Sequence, residues 1–290
     1  MKSGLAEHIV VITGASGGIG WATAEAFAAE GAYLVLHAHL GLADLQRRVA
    51  ASPWAKRAHC VAADLRQEGA NDAIFAAARE RFGRVDVAIL NAGIWPPEPL
   101  PLWEMDVQRI REVIDTNLVG VILGARAFAR QLAAQGPRAD GEGANVGLVG
   151  STAGRFGEAD HSAYSITKAG LHGLMRSLKN ELCRLDPYAR VNMVEPGWTV
   201  TPMARATLEE DPSVIPRVLA TMPLRQLARP EDIARALLFL SSPLLARHIS
   251  GEVLTVAGGM EGRRLWEPGS IDPDAVRRRL DADPENGDLR

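Results

Sequence analysis

His8-Ile-Val-Val-Ile-Thr-Gly-Ala-Ser-Gly-Gly-Ile-Gly20 is a short apolar run feeding a glycine-rich turn, and Trp21-Ala-Thr-Ala-Glu-Ala-Phe-Ala-Ala-Glu30 continues it in helical rhythm. Strand, glycine turn and helix, in that order, form the layout that receives dinucleotides. Gly14 permits the tight turn, Gly18 lets the backbone approach a pyrophosphate, and Gly20 allows close helix contact. The free N–H groups and positive dipole end of the helix then meet the phosphates. The turn therefore nominates Thr13, Gly14, Ser16, Gly18, Ile19 and Gly20 as cofactor contacts. Its spacing is Gly-x-x-x-Gly-x-Gly, not Gly-x-Gly-x-x-Gly.

Outward from this unit, short β-branched runs alternate with longer helical patterns. Strands are expected at Tyr33–Ala38, Arg57–Ala62, Val85–Leu90, Val146–Gly150, Arg190–Val194 and Glu252–Val256. Strands spaced by helices require right-handed crossovers, so the pattern predicts an α/β, Rossmann-type, doubly wound sheet of seven parallel strands with helices on both faces. No internal repeat or interdomain linker is evident, and residues 1–262 read as one domain. Gln135 to Asn145 is rich in turn formers and reads as a lengthened, mobile surface loop. Residues 263–290 carry six arginines against seven acids and read as a solvated, charged tail, with a short helix expected over Pro273–Leu280 behind a cap-like Asp272.

Chemistry enters with Tyr164 and Lys168, four apart in a helical pattern and preceded by Ser151 in Val149-Gly-Ser-Thr-Ala-Gly154. The spacing puts a phenol and an ammonium on one helix face, where the cation can favour the phenolate and lower the tyrosine pKa. Alone, such a pair also describes an ordinary solvated helix contact. Ser151 at a strand end equally describes a helix cap.

Taken together, Thr13-Gly-Ala-Ser-Gly-Gly-Ile-Gly20, Asp64-Leu65, Asn91-Ala-Gly93, Asn117, Ser151, Tyr164 with Lys168, and Pro196-Gly197 resemble the short-chain dehydrogenase/reductase family over residues 8 to 260. The resemblance implies a NAD(P)-dependent oxidoreductase that passes a hydride between the cofactor and a ketone or secondary alcohol. It implies Tyr164 as acid and base, Ser151 as the donor polarising the carbonyl, Lys168 as the cation that also holds the nicotinamide ribose, and Asn117 as a helix kink serving a water-held proton path. It further implies Asn91, Ala92 and Gly93 as supports of the nucleotide crevice, Asp64 and Leu65 beside the adenine, and Pro196, Gly197 and Thr199 beside the carboxamide. Relatives commonly form homotetramers through long helices, here Glu104 to Gln135 and His161 to Leu185, and through the last strand. A tetramer is expected.

Cofactor preference turns on Leu34-Val-Leu-His-Ala-His39. Relatives that prefer NAD place an acid about where Ala38 stands, and this chain has none; the cations of NADP-preferring relatives are replaced by His39 and Gly17. The missing acid removes the main barrier to a phosphate, so NADP(H) is expected. Around the substrate, Trp95, Arg155, Phe156, His161 and Trp198 are the expected walls and Met203 to Arg217 the expected lid. Aromatic walls suit a bulky apolar ketone or alcohol. Ala257 stands where relatives often carry an acid.

Composition agrees. The chain has 290 residues, 47% hydrophobic, enough for a large core, and its net charge of −3 gives no basic stripe for nucleic acid. Cys60 and Cys183 read as buried thiols, which suits a reducing compartment. The first residues lack an apolar signal core and no run is long enough for a membrane span, so a cytoplasmic protein without membrane partners is expected. A catalytically silent nucleotide-binding regulator and a sugar-nucleotide epimerase or dehydratase are the rival readings. The intact quartet of site residues argues against the first, the glycine spacing against the second.

Overall fold

The computed structural model describes residues 2–67, 69–211, 213–265, 268–270 and 272–281. Its sheet contains β1 (Ile9–Ile12), β2 (Tyr33–Ala38), β3 (Ala58–Ala62), β4 (Val87–Leu90), β5 (Asn145–Val149), β6 (Arg190–Pro196) and β7 (Val253–Val256). All neighbours pair in parallel, in the order β3-β2-β1-β4-β5-β6-β7. The seven expected strands are present, with ends shifted by a residue or two. Arg57, for instance, closes a 3₁₀ turn before β3.

Parallel strands covered on both faces need apolar residues on both, which explains the unbroken Ile9-Val-Val-Ile12 run. Successive side chains point to opposite faces. Val10 and Ile12 pack with α1 (Gly18–Ala29), α2 (Leu42–Ala50) and α10 (Pro230–Ser241) through Phe27, Leu45 and Leu237. Val11 joins the opposite layer, built from α3 (Ala70–Phe82), α5 (Gly120–Gln135) and α7 (Ser162–Leu182) through Phe75, Phe128 and Met175. Phe27, Phe75 and Phe128 are fully buried, each contributing on the order of 2–3 kcal/mol. The strand order reverses at β1, flanked by β2 and β4, and the crevice opens at their carboxyl ends.

Several expectations are corrected. The helix expected from Glu104 to Gln135 is divided. A 3₁₀ turn ends at Glu104, α4 spans Val107–Ile114 behind an Asp106 cap, a π turn covers Asp115–Val119, and α5 follows. The loop after α5 is fastened: Arg138 donates to the buried Asp86 at 3.0 Å and to Asp140 at 2.6 Å. Cys60 is half-buried, with its pKa raised by desolvation, whereas Cys183 is exposed because α7 ends just before it.

The expected lid segment folds as α8 (Pro202–Glu210) and α9 (Val214–Leu219). In the tail, α11 (Pro273–Asp281) starts behind Asp272, whose carboxylate accepts the Asp274 N–H at 2.9 Å. Val276 and Leu265 are exposed there, and residues 282–290 of the expected tail lie outside the described residues. Among the described residues, no helix is long and apolar enough to cross a membrane.

Candidate active site

A cleft of about 650 Å³ opens at the carboxyl ends of the central strands. Every site residue expected from the sequence lines it except Thr13 and Asn117, which are buried behind its wall. Those two act through hydrogen bonds. Thr13 Oγ1 accepts the N–H groups of Asn91 and Ala92, both at 3.0 Å. Asn91 Nδ2 donates back to the carbonyls of Thr13 at 2.9 Å and Gly14 at 3.2 Å. The loops leaving β1 and β4 are thereby clipped together.

Gly14 is left-handed at φ 66°, and a Cβ there would lie 2.9 Å from Ala92 Cα. A Cβ on Gly20 would lie 2.2 Å from the Gly14 carbonyl oxygen, so the turn can close against α1 only with glycine. No described side chain caps α1 at Gly17, which leaves its first N–H groups directed to the cleft. This bare helix start and close backbone cradle fit a dinucleotide's phosphates.

Three groups missed in the sequence complete this end. His37, on β2, is 1% exposed. Gly14 N–H can only donate, so Nδ1, 3.2 Å away, is the acceptor; the proton sits on Nε2 and is donated to the Ala63 carbonyl at 3.0 Å. Burial lowers the His37 pKa, in keeping with a neutral ring. Arg48, on α2, lies 3.9 Å above the Trp21 ring and donates to the Ser16 carbonyl at 3.3 Å. Arg66 lines the cleft and grips Asp64 with Nε at 2.9 Å and Nη2 at 2.8 Å. That grip holds the Asp64 pKa down at about 2. His39 is half-exposed, 3.9 Å from the same carboxylate. Outside the motif positions, α2 and the loop after β3 thus place two arginines at this end, Arg48 against the Ser16 carbonyl and Arg66 in the cleft lining.

At the other end Ser151, Tyr164 and Lys168 converge. Ser151 Oγ accepts the Ala153 N–H at 3.1 Å, capping the short α6 (Thr152–Phe156), and the same side chain acts on the Tyr164 phenol in the direction that lowers its pKa. Cap and site group are one hydroxyl. Lys168 is buried, donates to the Val149 carbonyl at 2.9 Å, and lies 5.7 Å from the Tyr164 ring centre. A Cβ on Gly154 would stand 2.6 Å from the Lys168 backbone carbon, so α6 and α7 meet backbone to backbone.

Asn117 occupies the π turn, the local distortion expected at this point. Its Nδ2 donates to the Ile94 carbonyl and its Oδ1 accepts the Ile94 N–H, both at 2.7 Å. It thereby fixes the loop beside Lys168, where a Cβ on Gly93 would be 3.5 Å from Nζ.

The electrostatics correct one expectation. Burial pushes the Tyr164 phenol up to about 12, with Ser151 opposing, and pushes Lys168 down to about 8. Desolvation, which disfavours each charged form, is the largest cause of both shifts.

Of the expected walls, Trp95 and Trp198 line the cleft, and Met203 lines it from the expected lid. His161 stacks behind Trp95 at 4.7 Å, and Trp198 meets Trp95 edge-on at 6.0 Å. Arg155 and Phe156 do not line it. Arg155 turns to Thr255 at 3.1 Å and Phe156 packs on a small cluster around Met222 and Met260. Among the charged residues that line it without a role in the sequence reading are Glu158, from the loop between α6 and α7, and Arg263, the first residue of the expected tail. No motif spacing marks either.

The family model described as enoyl-(acyl carrier protein) reductase matches residues 14–261. The chain is 38% identical over 260 residues to a cis-4-hydroxycyclohexanecarboxylate dehydrogenase of Sinomonas cyclohexanicum, covering 89% of this chain and 98% of that one. Among solved structures it resembles a glucose/ribitol-type short-chain dehydrogenase/reductase from Brucella melitensis, with TM-score 0.78, 31% identity, and 89% and 98% of the two chains covered. A 3-ketoacyl-(acyl-carrier-protein) reductase from the same organism, complexed with NADH, gives TM-score 0.77 at 29% identity over 88% and 98%.

Proposed function

The chain belongs to the short-chain dehydrogenase/reductase family and is an NAD(P)-dependent oxidoreductase moving a hydride between a nicotinamide and a ketone or secondary alcohol, and we propose that Tyr164, Ser151, Lys168 and Asn117 carry the reaction. The observation that supports this most is the convergence of Ser151, Tyr164 and Lys168 on one cleft wall, beside a glycine cradle at the cleft's other end. When bound, the nicotinamide supplies or takes up the hydride.

The residues handle the proton. With its pKa near 12 the phenol is protonated at neutral pH, the form needed to give a proton to a carbonyl oxygen as charge develops there. Ser151 donates a second hydrogen bond to that oxygen and fixes its position. Lys168, charged below about pH 8, stabilises the phenolate left behind and favours the same phenolate as base in oxidation. Asn117 positions the loop through Ile94. A silent regulator of the same fold finds no support among the relatives, which are dehydrogenases and reductases.

Thr13, Gly14, Ser16, Gly18, Ile19, Gly20, Asn91, Ala92 and Gly93 would hold the phosphates and ribose. Asp64, Leu65 and His39 would lie at the adenosine, and Pro196, Gly197 and Thr199 at the carboxamide. NADP(H) is the preferred form, since Arg48 bonds the turn at Ser16, Arg66 lines the same cleft and no acid replaces Ala38. The walls Trp95 and Trp198 favour a substrate with an apolar, ring-sized body, in keeping with the cyclic substrate named for the Sinomonas relative. Residues 1–262 form the catalytic domain, and the assembly is a homotetramer in the cytoplasm. Exposed Val119, Ile122 and Ile166 are suited to helix contacts between copies, and the unbridged cysteines suit a reducing compartment.

Wild type and Tyr164→Phe are compared with NADPH and NADH against a ketone panel, following loss of reduced-nicotinamide absorbance. The variant is expected to lose on the order of 10²–10⁴ in turnover. Undiminished turnover would remove Tyr164 from the mechanism, and tighter binding of NADH would reverse the cofactor assignment.

A further inference from the structure

The substrate end of the cleft holds a charged device that hydride transfer does not use. Arg263 follows β7 and turns back over the cleft, where Nε donates to the Gly157 carbonyl at 3.0 Å. That bond orients the guanidinium plane. Among the described residues its ion-pair partner is Glu158, whose Oε2 stands 3.9 Å from Nη2, too far for a hydrogen bond. Both side chains are 18% exposed and both line the cleft. Their charges reach the Tyr164 phenol in opposite senses, Glu158 raising its pKa and Arg263 lowering it, which places the pair within electrostatic range of the reacting group.

A guanidinium carries five N–H donors in a planar fork, and among the described residues one is taken by a carbonyl within hydrogen-bond distance. An oriented, mostly buried fork with donors to spare, in a site walled by Trp95 and Trp198, has the chemistry of a carboxylate clamp. In apolar pockets a few such polar groups set ligand orientation. Glu158 sets a negative charge beside the guanidinium without occupying its donors by a hydrogen bond.

We propose that Arg263 recognises a carboxylate on the substrate, making the preferred substrate a ketone or secondary alcohol with an apolar ring or chain between the reacting carbon and an acid group. The inference rests on the oxidoreductase reading of the same cleft and adds its substrate class. The carboxylate anchored at Arg263 would deliver the opposite end of the molecule to Tyr164.

Tryptophan fluorescence is titrated with cyclohexanecarboxylate and with cyclohexanecarboxamide, using wild type, Arg263→Gln, Arg263→Lys and Glu158→Gln. Wild type is expected to prefer the carboxylate by about 10- to 100-fold, the worth of a charged hydrogen-bonded contact. The preference should vanish in Arg263→Gln, persist in part in Arg263→Lys, and hold or grow in Glu158→Gln. In parallel, the ratio of kcat/KM for 4-oxocyclohexanecarboxylate over its methyl ester should fall by a similar factor in Arg263→Gln. Equal binding of acid and amide by wild type, or a preference that survives in Arg263→Gln, overturns the proposal. A charge preference in binding without turnover of any ketone would instead sink the reaction assigned to the cleft while leaving the clamp intact.

Discussion

Replacing His37 tests whether the glycine turn is held from behind by a neutral imidazole. The ring accepts the Gly14 N–H at 3.2 Å and donates to the Ala63 carbonyl at 3.0 Å. Leucine fills similar space and satisfies neither group. Both partners are half-buried, so each lost bond costs toward the lower end of the range for an unmade buried hydrogen bond, about 1–1.5 kcal/mol. The sum is about 2–3 kcal/mol for His37→Leu. At roughly 2–4 °C per kcal/mol for a chain of this size, Tm should fall by about 5–10 °C. His37→Asn can keep an acceptor for Gly14 while losing the donor to Ala63, and should fall about half as far. Dinucleotide affinity, read by fluorescence titration, should weaken in the same order because Gly14 shapes the phosphate cradle. If His37→Leu melts and binds like wild type, or His37→Asn is the worse of the two, the tautomer and its bracing role are wrong.

Other outcomes follow from the same geometry. Gly154→Ala forces a Cβ to 2.6 Å from the Lys168 backbone and must push α7 away from Ser151, so kcat should drop by about 10- to 100-fold. Gly173→Ala, whose Cβ meets nothing within 4 Å, should leave kcat unchanged and serves as the control; equal losses in both would refute the close-packing argument. Acid should destabilise the fold well above the carboxylate range. His8 and His37 have folded pKa values lowered by burial, so below about pH 6.5 the unfolded chain binds protons that the folded one refuses. Stability should then fall by at most about 1.4 kcal/mol per pH unit for each histidine, and a Tm flat from pH 7 to 5.5 would contradict it. Asp64 and Asp140, held near 2, should add their own loss only as pH falls from about 4 toward 2, visible as a second step in the same melts.

What could be read in the chain was whatever depends on near neighbours. Gly14, Gly18 and Gly20 are locked to a strand before and a helix after, so their spacing implied the turn. Tyr164 and Lys168 sit one helical turn apart, so their spacing implied a shared face. The seven strands showed because buried parallel strands need unbroken apolar runs. Even Asn117, a poor helix former inside a helical pattern, pointed to the distortion that the structure resolves as a π turn.

The sequence by itself thus determined the sheet, the glycine turn and the shared helix face of Tyr164 and Lys168. Tertiary structure alone decided that His37 braces Gly14 from β2, that Arg48 reaches the turn at Ser16 while Arg66 lines the same cleft, and that Arg263 returns over the cleft to face Glu158. These residues lie far from their partners along the chain, at no fixed spacing, so no periodicity could announce them. The electrostatics of Tyr164 belong to the same class. Four-residue spacing suggested a lowered pKa, but how far a phenol is shielded from water depends on every element packed around it, and that burial carries it up to about 12.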